Sequence, residues 1–124
     1  MNTLTQLGNP KYIALETYKK SGEAVSTPVW VTEEAGKFYV ITEGNSWKVK
    51  RIRNNPRVRV AQSDSRGKVQ SDWVGGTARV LTDPTAVSQQ GKRLAAKYGL
   101  FYHIFMFFMN LTQRKRTSVV IEIV

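Results

Sequence analysis

Residues 39–58 read YVITEGNSWKVKRIRNNPRV, which predicts a short apolar strand, a turn and a short basic helix. The strand covers Phe38 to Thr42 and the helix covers Ser46 to Asn54. Ser46 is a favourable N-cap residue, and Asn55-Pro56 stops the helix because the residue before a proline disfavours the α region. A helix N-terminus offers unpaired N–H groups and the positive end of the helix dipole, which together attract anions.

The same junction brings hydroxyl and basic side chains together. Thr42, Ser46 and Lys48 flank the start of the helix, and Lys50 and Arg51 add positive charge within about one turn. A phosphate is bound by several short donors together with a neutralising cation. The segment therefore predicts a phosphate site, although an ordinary N-cap followed by a solvated basic helix face would show the same residues.

Upstream of this junction the sequence predicts two strands. The first covers Tyr12 to Tyr18, and the second runs from about Ala24 to Thr32 and contains Pro28. Because proline cannot donate to a strand ladder, this position must be an edge, a bulge or a place where a ligand replaces the partner strand. The free backbone groups of Ser26 to Val31 would suit a planar heterocycle. Considered in isolation, however, this segment is better interpreted as an ordinary edge strand.

Downstream, alternating charge and valine predict a strand at Arg57 to Ser63. One long strand or two, interrupted at Gly75-Gly76, cover residues 69–81. Asp83-Pro84 begins a helix that Gly99 ends, residues 100–111 are apolar on nearly every side, and residues 117–124 form a closing strand. This order predicts a mainly β fold, a small antiparallel barrel with helical appendages. We expect a single domain over residues 1–124, with 1–9 as a flexible N-terminus.

The composition favours an anionic partner. The formal net charge is +10, from 19 Lys plus Arg and 9 Asp plus Glu, although a merely basic surface would give the same value. There is no cysteine, which excludes disulfides and thiolate metal sites and agrees with a cytoplasmic protein. The longest apolar run, residues 100–111, is shorter than the roughly 20 residues of a membrane-spanning helix, so we expect no span.

Few residues in this sequence suit catalysis by side chains. His103 is the only histidine and lies in an aromatic run, and no histidine pair has metal-ligand spacing. The carboxylates form no obvious acid–base pair. No catalytic residue is assigned, and no metal is expected. If the chain is an enzyme, its chemistry is expected to come from a bound cofactor.

The run from Tyr39 through Thr42, Ser46 and Lys48 to Asn55-Pro56-Arg57-Val58 resembles the phosphate-binding signature of the pyridoxamine-phosphate-oxidase-like, FMN-binding split barrels. Within that superfamily the chain is most similar to the small deazaflavin-dependent oxidoreductases. The segments that carry this second similarity are Thr27-Pro28-Val29-Trp30-Val31, Lys48-Val49-Lys50-Arg51, Gly76-Thr77-Ala78-Arg79-Val80-Leu81 and Lys97-Tyr98-Gly99. The resemblance extends over residues 10–124.

This resemblance implies a six-stranded antiparallel split β-barrel that forms a homodimer with the cofactor at the interface. The cofactor would be the deazaflavin coenzyme F-420 or FMN, and the reaction would be hydride transfer to or from a small substrate. Thr42, Ser46 and Lys48 would hold the cofactor phosphate, with Lys50 and Arg51 nearby. The residues that would line the ring are Thr27, Pro28, Val29 and Trp30.

The chain also departs from true pyridoxamine-phosphate oxidases. It is much shorter and lacks their C-terminal substrate-binding segment, so oxidation of pyridoxamine phosphate is not expected. The aromatic segment Phe101 to Phe108 is more apolar than the corresponding region of the family, and its role is open. A non-catalytic flavin- or haem-binding barrel remains an alternative. A nucleic-acid-binding barrel using Trp47 and Trp73 is disfavoured, because the aromatic residues do not line one basic strand face.

Overall fold

The computed structural model describes residues 3–104 and 118–124, and within them the chain forms a single seven-stranded antiparallel sheet with few helices. The strands are β1 Tyr12–Tyr18, β2 Ala24–Trp30, β3 Thr32–Glu34, β4 Lys37–Glu43, β5 Arg57–Ser63, β6 Val74–Leu81 and β7 Ser118–Ile123. The helices are a 3-10 helix at Leu4–Leu7, α1 at Trp47–Asn54 and α2 at Pro84–Tyr98. Residues 100–104 are also helical.

The order of the strands across the sheet is β2-β1-β5-β6-β7-β4-β3. The first half of β6, residues 74–77, pairs with β5, and its second half, residues 78–81, pairs with β7. One strand therefore joins the two halves of the sheet, which curls into a half-barrel. This architecture confirms the predicted mainly β split barrel.

The prediction of six strands is wrong by one, because the strand expected over residues 24–32 is divided at Val31. The Val31 N–H donates to the Tyr98 hydroxyl at 3.0 Å, and its carbonyl accepts from Lys97 Nζ at 2.6 Å. Both backbone polar groups of Val31 are thus bound by side chains of α2. Since they need no neighbouring strand, the chain leaves the β1 ladder after Trp30 and pairs with β4 from Thr32 onward.

The core lies between the curled sheet and the helices. The inner strands β1 and β7 are buried along nearly their whole length, and α2 packs against β7, β4 and β3. Helix α1 packs on β1 and β6 with Val49 and Ile52, both of which are buried. At the N-terminus, Leu4 and Leu7 are also buried in this core.

Most of the remaining boundaries agree with the sequence, with two exceptions in the strand expected over residues 69–81. β6 begins only at Val74, because residues 69–73 meet the end of β5 through the single bridge Ser63–Val69 and form no ladder. β6 continues through Gly75-Gly76 without the expected interruption. A Cβ atom on Gly76 would lie 3.1 Å from Ile123 Cγ2 and from the Val124 carbonyl oxygen, so this glycine permits a close approach of β7. In the apolar segment expected over residues 100–111, Leu100 and Phe101 are exposed, and the part from residue 105 lies outside the described residues.

Candidate functional site

The junction between β4 and α1 has the geometry expected of an anion site. The Ser46 side chain caps α1 by accepting from the Val49 N–H at 3.4 Å, and the Thr42 hydroxyl lies 3.5 Å from the Ser46 hydroxyl. The N–H groups of Trp47 and Lys48 form no hydrogen bond with other described residues. Two hydroxyls and two open amides are therefore gathered at the positive end of the helix dipole.

Lys48 supplies the cation at this junction. Its side chain is half-buried and has no hydrogen bond or ion pair within residues 3–104 and 118–124. Burial, and then the nearby Arg51 guanidinium, lower the pKa of Lys48 below its ordinary value. A group whose charged form is disfavoured in this way gains more from a bound anion than an exposed lysine does, because the anion compensates the lost hydration.

A cavity of about 390 Å³ connects this junction to the β2 strand. Its volume lies within the range of small-molecule sites, roughly 300–1,000 Å³. Thr42 and Lys48 lie in its wall together with three of the four predicted ring-binding residues. The complete lining is Tyr12, Pro28, Val29, Trp30, Ile41, Thr42 and Lys48. Two regions that are about 15 residues apart in the sequence therefore meet at one concave site.

Tyr98, the last residue of α2, packs against Trp30 in the wall of this cavity. The Trp30 and Tyr98 rings are stacked with their centroids 4.4 Å apart and their planes at 9°. The Tyr98 hydroxyl accepts from the Val31 N–H and lies 2.6 Å from the Lys11 carbonyl oxygen, to which it donates. Burial raises the pKa of Tyr98 to about 12, so the hydroxyl keeps its proton at neutral pH.

Lys97 completes this support. Its Nζ donates to the carbonyl oxygens of Pro10 at 2.5 Å and Val31 at 2.6 Å. Burial lowers the pKa of Lys97 to about 8, against an opposing effect of the Glu33 carboxylate. The last turn of α2 therefore holds the backbone next to Tyr12 and Trp30, which both line the cavity.

The other predicted site residues do not line this cavity. Ser46 is linked to it through Thr42. The Thr27 hydroxyl is buried and has no hydrogen-bond partner in the described structure. Lys50 and Arg51 line a different cavity, on the outer face of α1.

Other kinds of site have little support in the described part of the chain. No group of three or more potential ligand side chains there is arranged to hold a metal ion. His103 is exposed and meets the Tyr102 ring edge-on at 5.4 Å. None of the helices in the same region has the length and apolar character that crossing a membrane requires.

Sequence reasoning did not identify four residues that shape this site. Tyr12 and Ile41 line the cavity but occupy ordinary strand positions, so nothing in their spacing distinguishes them. Lys97 and Tyr98 carried a signal, since both precede the Gly99 that ends α2 and both belong to the segment of resemblance. Their role depends on contacts with Val31, 66 or 67 residues away, which local patterns do not encode.

The chain is similar to a known protein family over nearly its whole length. The family model described as pyridoxamine 5'-phosphate oxidase matches residues 2–123. No curated protein sequence matches the chain.

Several solved structures share the fold. A conserved hypothetical protein from Mycobacterium tuberculosis superimposes with a TM-score of 0.71 at 18% identity, covering 98% of this chain and 76% of that one. A structure described as an F-420-H2-dependent reductase (FDR-A) gives 0.57 at 20% identity, over 91% of this chain and 95% of that one. A domain-swapped dimer gives 0.61 at 21% identity, over 91% and 81%. At these identities the similarity establishes the fold alone.

Proposed function

This chain belongs to the pyridoxamine 5'-phosphate oxidase family, and from that premise we propose that it is a cofactor-dependent oxidoreductase. It would transfer hydride between a bound deazaflavin or FMN and a small substrate. The reductase among the structural neighbours supports the same chemical class.

The observation that carries this proposal is the shared cavity. Thr42 and Lys48, the residues proposed to bind phosphate, and Pro28 to Trp30, the residues proposed to cover the ring, line one cavity of about 390 Å³. A flavin or deazaflavin has the matching construction, a planar ring joined by a chain to a phosphate.

The residues present fit such a group in three respects. Lys48 is a half-buried cation without a described partner, the first amides of α1 are open, and the buried Thr27 hydroxyl lacks a partner. Lys48 and the Thr27 hydroxyl are polar groups that folding has taken from water without full compensation, and the α1 amides are donors without a protein acceptor. A bound anion and a hydrogen-bonding ring edge would supply what these groups lack.

Each part of the site then has a defined task. The Thr42 hydroxyl and the α1 amides would donate to phosphate oxygens, and Lys48 would neutralise their charge. Pro28, Val29 and Trp30 would cover the ring and exclude water. The hydride chemistry itself would come from the bound ring. Tyr98 stacks on Trp30 and hydrogen-bonds the adjoining backbone, which keeps that wall in one position before the cofactor binds.

The first test is cofactor binding by the Ser46→Ala, Lys48→Ala double variant. Calorimetric titration of the wild type with FMN and with coenzyme F-420 should give micromolar or tighter binding of at least one of them. The double variant should lose affinity, because each charged hydrogen bond contributes about 1.5–3 kcal/mol. Lys92→Gln, which removes an exposed charge on α2, is the control and should bind as the wild type does.

Two outcomes would count against parts of the proposal. Unchanged affinity in the double variant would remove this phosphate site, provided that urea unfolding shows only the cost of about 0.5–2 kcal/mol expected for a lost N-cap. Tight binding without reduction or oxidation of any acceptor would instead assign the binding-only function.

A homodimer with the cofactor at the interface belongs to the same proposal. In the described sheet, β2 and β3 lie at the two ends and so each has one side without a strand neighbour. Such edges pair readily with another chain unless they are covered. Sedimentation equilibrium should give twice the 14.1 kDa chain mass. A monomer that binds cofactor with full affinity would contradict an interface site.

A further inference from the structure

A second cavity, of about 490 Å³, lies on the outer face of α1. The β1–β2 turn forms its other side. Its lining is Tyr18, Lys19, Lys20, Trp47, Lys50, Arg51 and Asn54, and it shares no residue with the cavity proposed for the cofactor. The α1 members recur at intervals of three, four and seven residues, which places them on one helix face, opposite the buried Val49.

This cavity is strongly basic. Four of its lining residues are Lys or Arg, and no Asp or Glu is among the lining residues that the structure describes. Lys19 forms an ion pair with Glu23 at 3.3 Å, but both side chains are exposed, so the pair neutralises the site only weakly. The charges therefore suit a ligand with more than one negative charge.

Arg51 is oriented for binding. Its Nε donates to the Thr17 hydroxyl at 2.7 Å, and Thr17 is fully buried in β1. The two terminal guanidinium nitrogens have no hydrogen bond within the described structure. A guanidinium anchored at Nε in this way can still donate two parallel hydrogen bonds to a phosphate or carboxylate.

The cavity also contains two aromatic rings. Trp47 is 70% exposed, and Lys50 Nζ lies 4.5 Å from the centroid of its ring. The Tyr18 hydroxyl is bound to Glu16 at 2.8 Å, which leaves its ring as the part available to the cavity. An inorganic anion would gain nothing from these rings, whereas a planar ligand would stack on them.

We propose that this cavity binds a nucleoside phosphate, with the base on Trp47 and the phosphate on Arg51 and the lysines, at a site separate from the cofactor cavity. A phosphate monoester carries about −1.5 to −2 charges at pH 7, which matches a cluster of several cations. The base supplies the planar surface that the exposed tryptophan lacks. The inference does not depend on the proposed oxidoreductase function.

The test uses three probes on the full chain: adenosine 5'-monophosphate, adenosine and inorganic phosphate. Calorimetric titration should show the nucleotide binding about tenfold or more tighter than either fragment, because ring and phosphate contribute together. Trp47→Ala should weaken the nucleotide by about fivefold or more and leave inorganic phosphate unchanged, whereas Trp47→Phe should retain most of the affinity. Lys50→Gln should weaken both anions, and Lys92→Gln should weaken neither.

Other variants separate this site from the cofactor cavity. Lys48→Ala should leave nucleotide binding intact. Trp47→Ala removes only the ring and keeps the backbone N–H at the start of α1, so it should leave FMN binding intact. Loss of nucleotide affinity in Lys48→Ala would place the nucleotide in the cofactor cavity and overturn the proposal. Absence of nucleotide binding would overturn it too, as would equally tight binding of an oligoglutamate peptide that Trp47→Ala does not affect.

Discussion

At the scale of single residues, Lys97 and Tyr98 connect α2 to the backbone beside the candidate site. Both bind the backbone of Val31, where the chain passes from β2 to β3. Tyr98 also stacks on Trp30 in the wall of the cavity. A lysine ammonium is placed there although burial opposes its charge, so its hydrogen bonds to two carbonyl oxygens must compensate part of the lost hydration.

This burial predicts a pH dependence of stability. The pKa of Lys97 is lowered to about 8 in the folded protein, whereas in an unfolded chain a lysine has about 10.4. Between these values the unfolded state binds more protons than the folded state, so the contribution of Lys97 to the free energy of unfolding rises with pH. Below about pH 8 the cost of burying the charge is fully present.

The measurement is urea unfolding of the wild type and of Lys97→Met, from pH 7 to pH 10. The difference in free energy of unfolding should shift in favour of the wild type as the pH rises, because methionine has no proton to lose. Lys92→Met, on the exposed face of α2, should show no such shift. A constant difference between the wild type and Lys97→Met would show that Lys97 titrates normally.

At the scale of elements, β6 connects the two halves of the sheet, and its two glycines have different surroundings. A Cβ atom on Gly76 would lie 3.1 Å from Ile123 Cγ2 and from the Val124 carbonyl oxygen. A Cβ atom on Gly75 would have no neighbour within 4 Å. Neither glycine has a positive φ, so the two alanine variants differ in packing alone.

Gly76→Ala should therefore destabilise the protein by about 1–3 kcal/mol, the usual cost of overpacking. Gly75→Ala should change the free energy of unfolding by less than about 1 kcal/mol, and the sign can be favourable because alanine restricts the unfolded chain. Both values come from urea unfolding under identical conditions. Equal effects of the two variants would mean that the close approach of β7 does not decide the preference for glycine.

The elements that the sequence predicted best are those whose signals are local. Residue patterns predicted β1 and β5, and the start signal at Pro84 and the stop signal at Gly99 predicted the range of α2. The division of the second strand at Val31 was missed because its cause lies in α2, far along the chain. The glycine pair was read as an interruption for the same reason, since only the position of β7 explains Gly76.

The candidate site, too, was predictable from the sequence only where its signals are local. The residues of the β4–α1 junction were identified because an N-cap and a helix start have a sequence signature. The meeting of this junction with Pro28 to Trp30 in one cavity follows from the curl of the sheet, which no local pattern contains. The different positions of Lys48 and Arg51 also become visible only in three dimensions, although both lie on the same helix.

At the scale of the whole molecule, the formal net charge of +10 acts on any anionic ligand that approaches. Within the described residues, basic side chains line the proposed cofactor cavity only at Lys48 but line the outer face of α1 in larger number. The positive charge of the whole molecule would therefore attract a ligand with charge beyond its phosphate more strongly than a ligand with the phosphate alone.

This difference predicts that salt distinguishes the two candidate cofactors. FMN carries only a phosphate, whereas coenzyme F-420 also has a polyglutamate tail. Since the screening length falls from about 10 Å at 0.1 M salt to about 3 Å at 1 M, the affinity for F-420 should fall more steeply across this range than the affinity for FMN. Riboflavin, which has no phosphate, is the control, and its affinity should depend little on salt.

The measurement is calorimetric titration of each compound at a series of sodium chloride concentrations. Equal slopes for F-420 and FMN would mean that the excess positive charge does not contribute to cofactor choice, and that Lys48 and the α1 junction act alone.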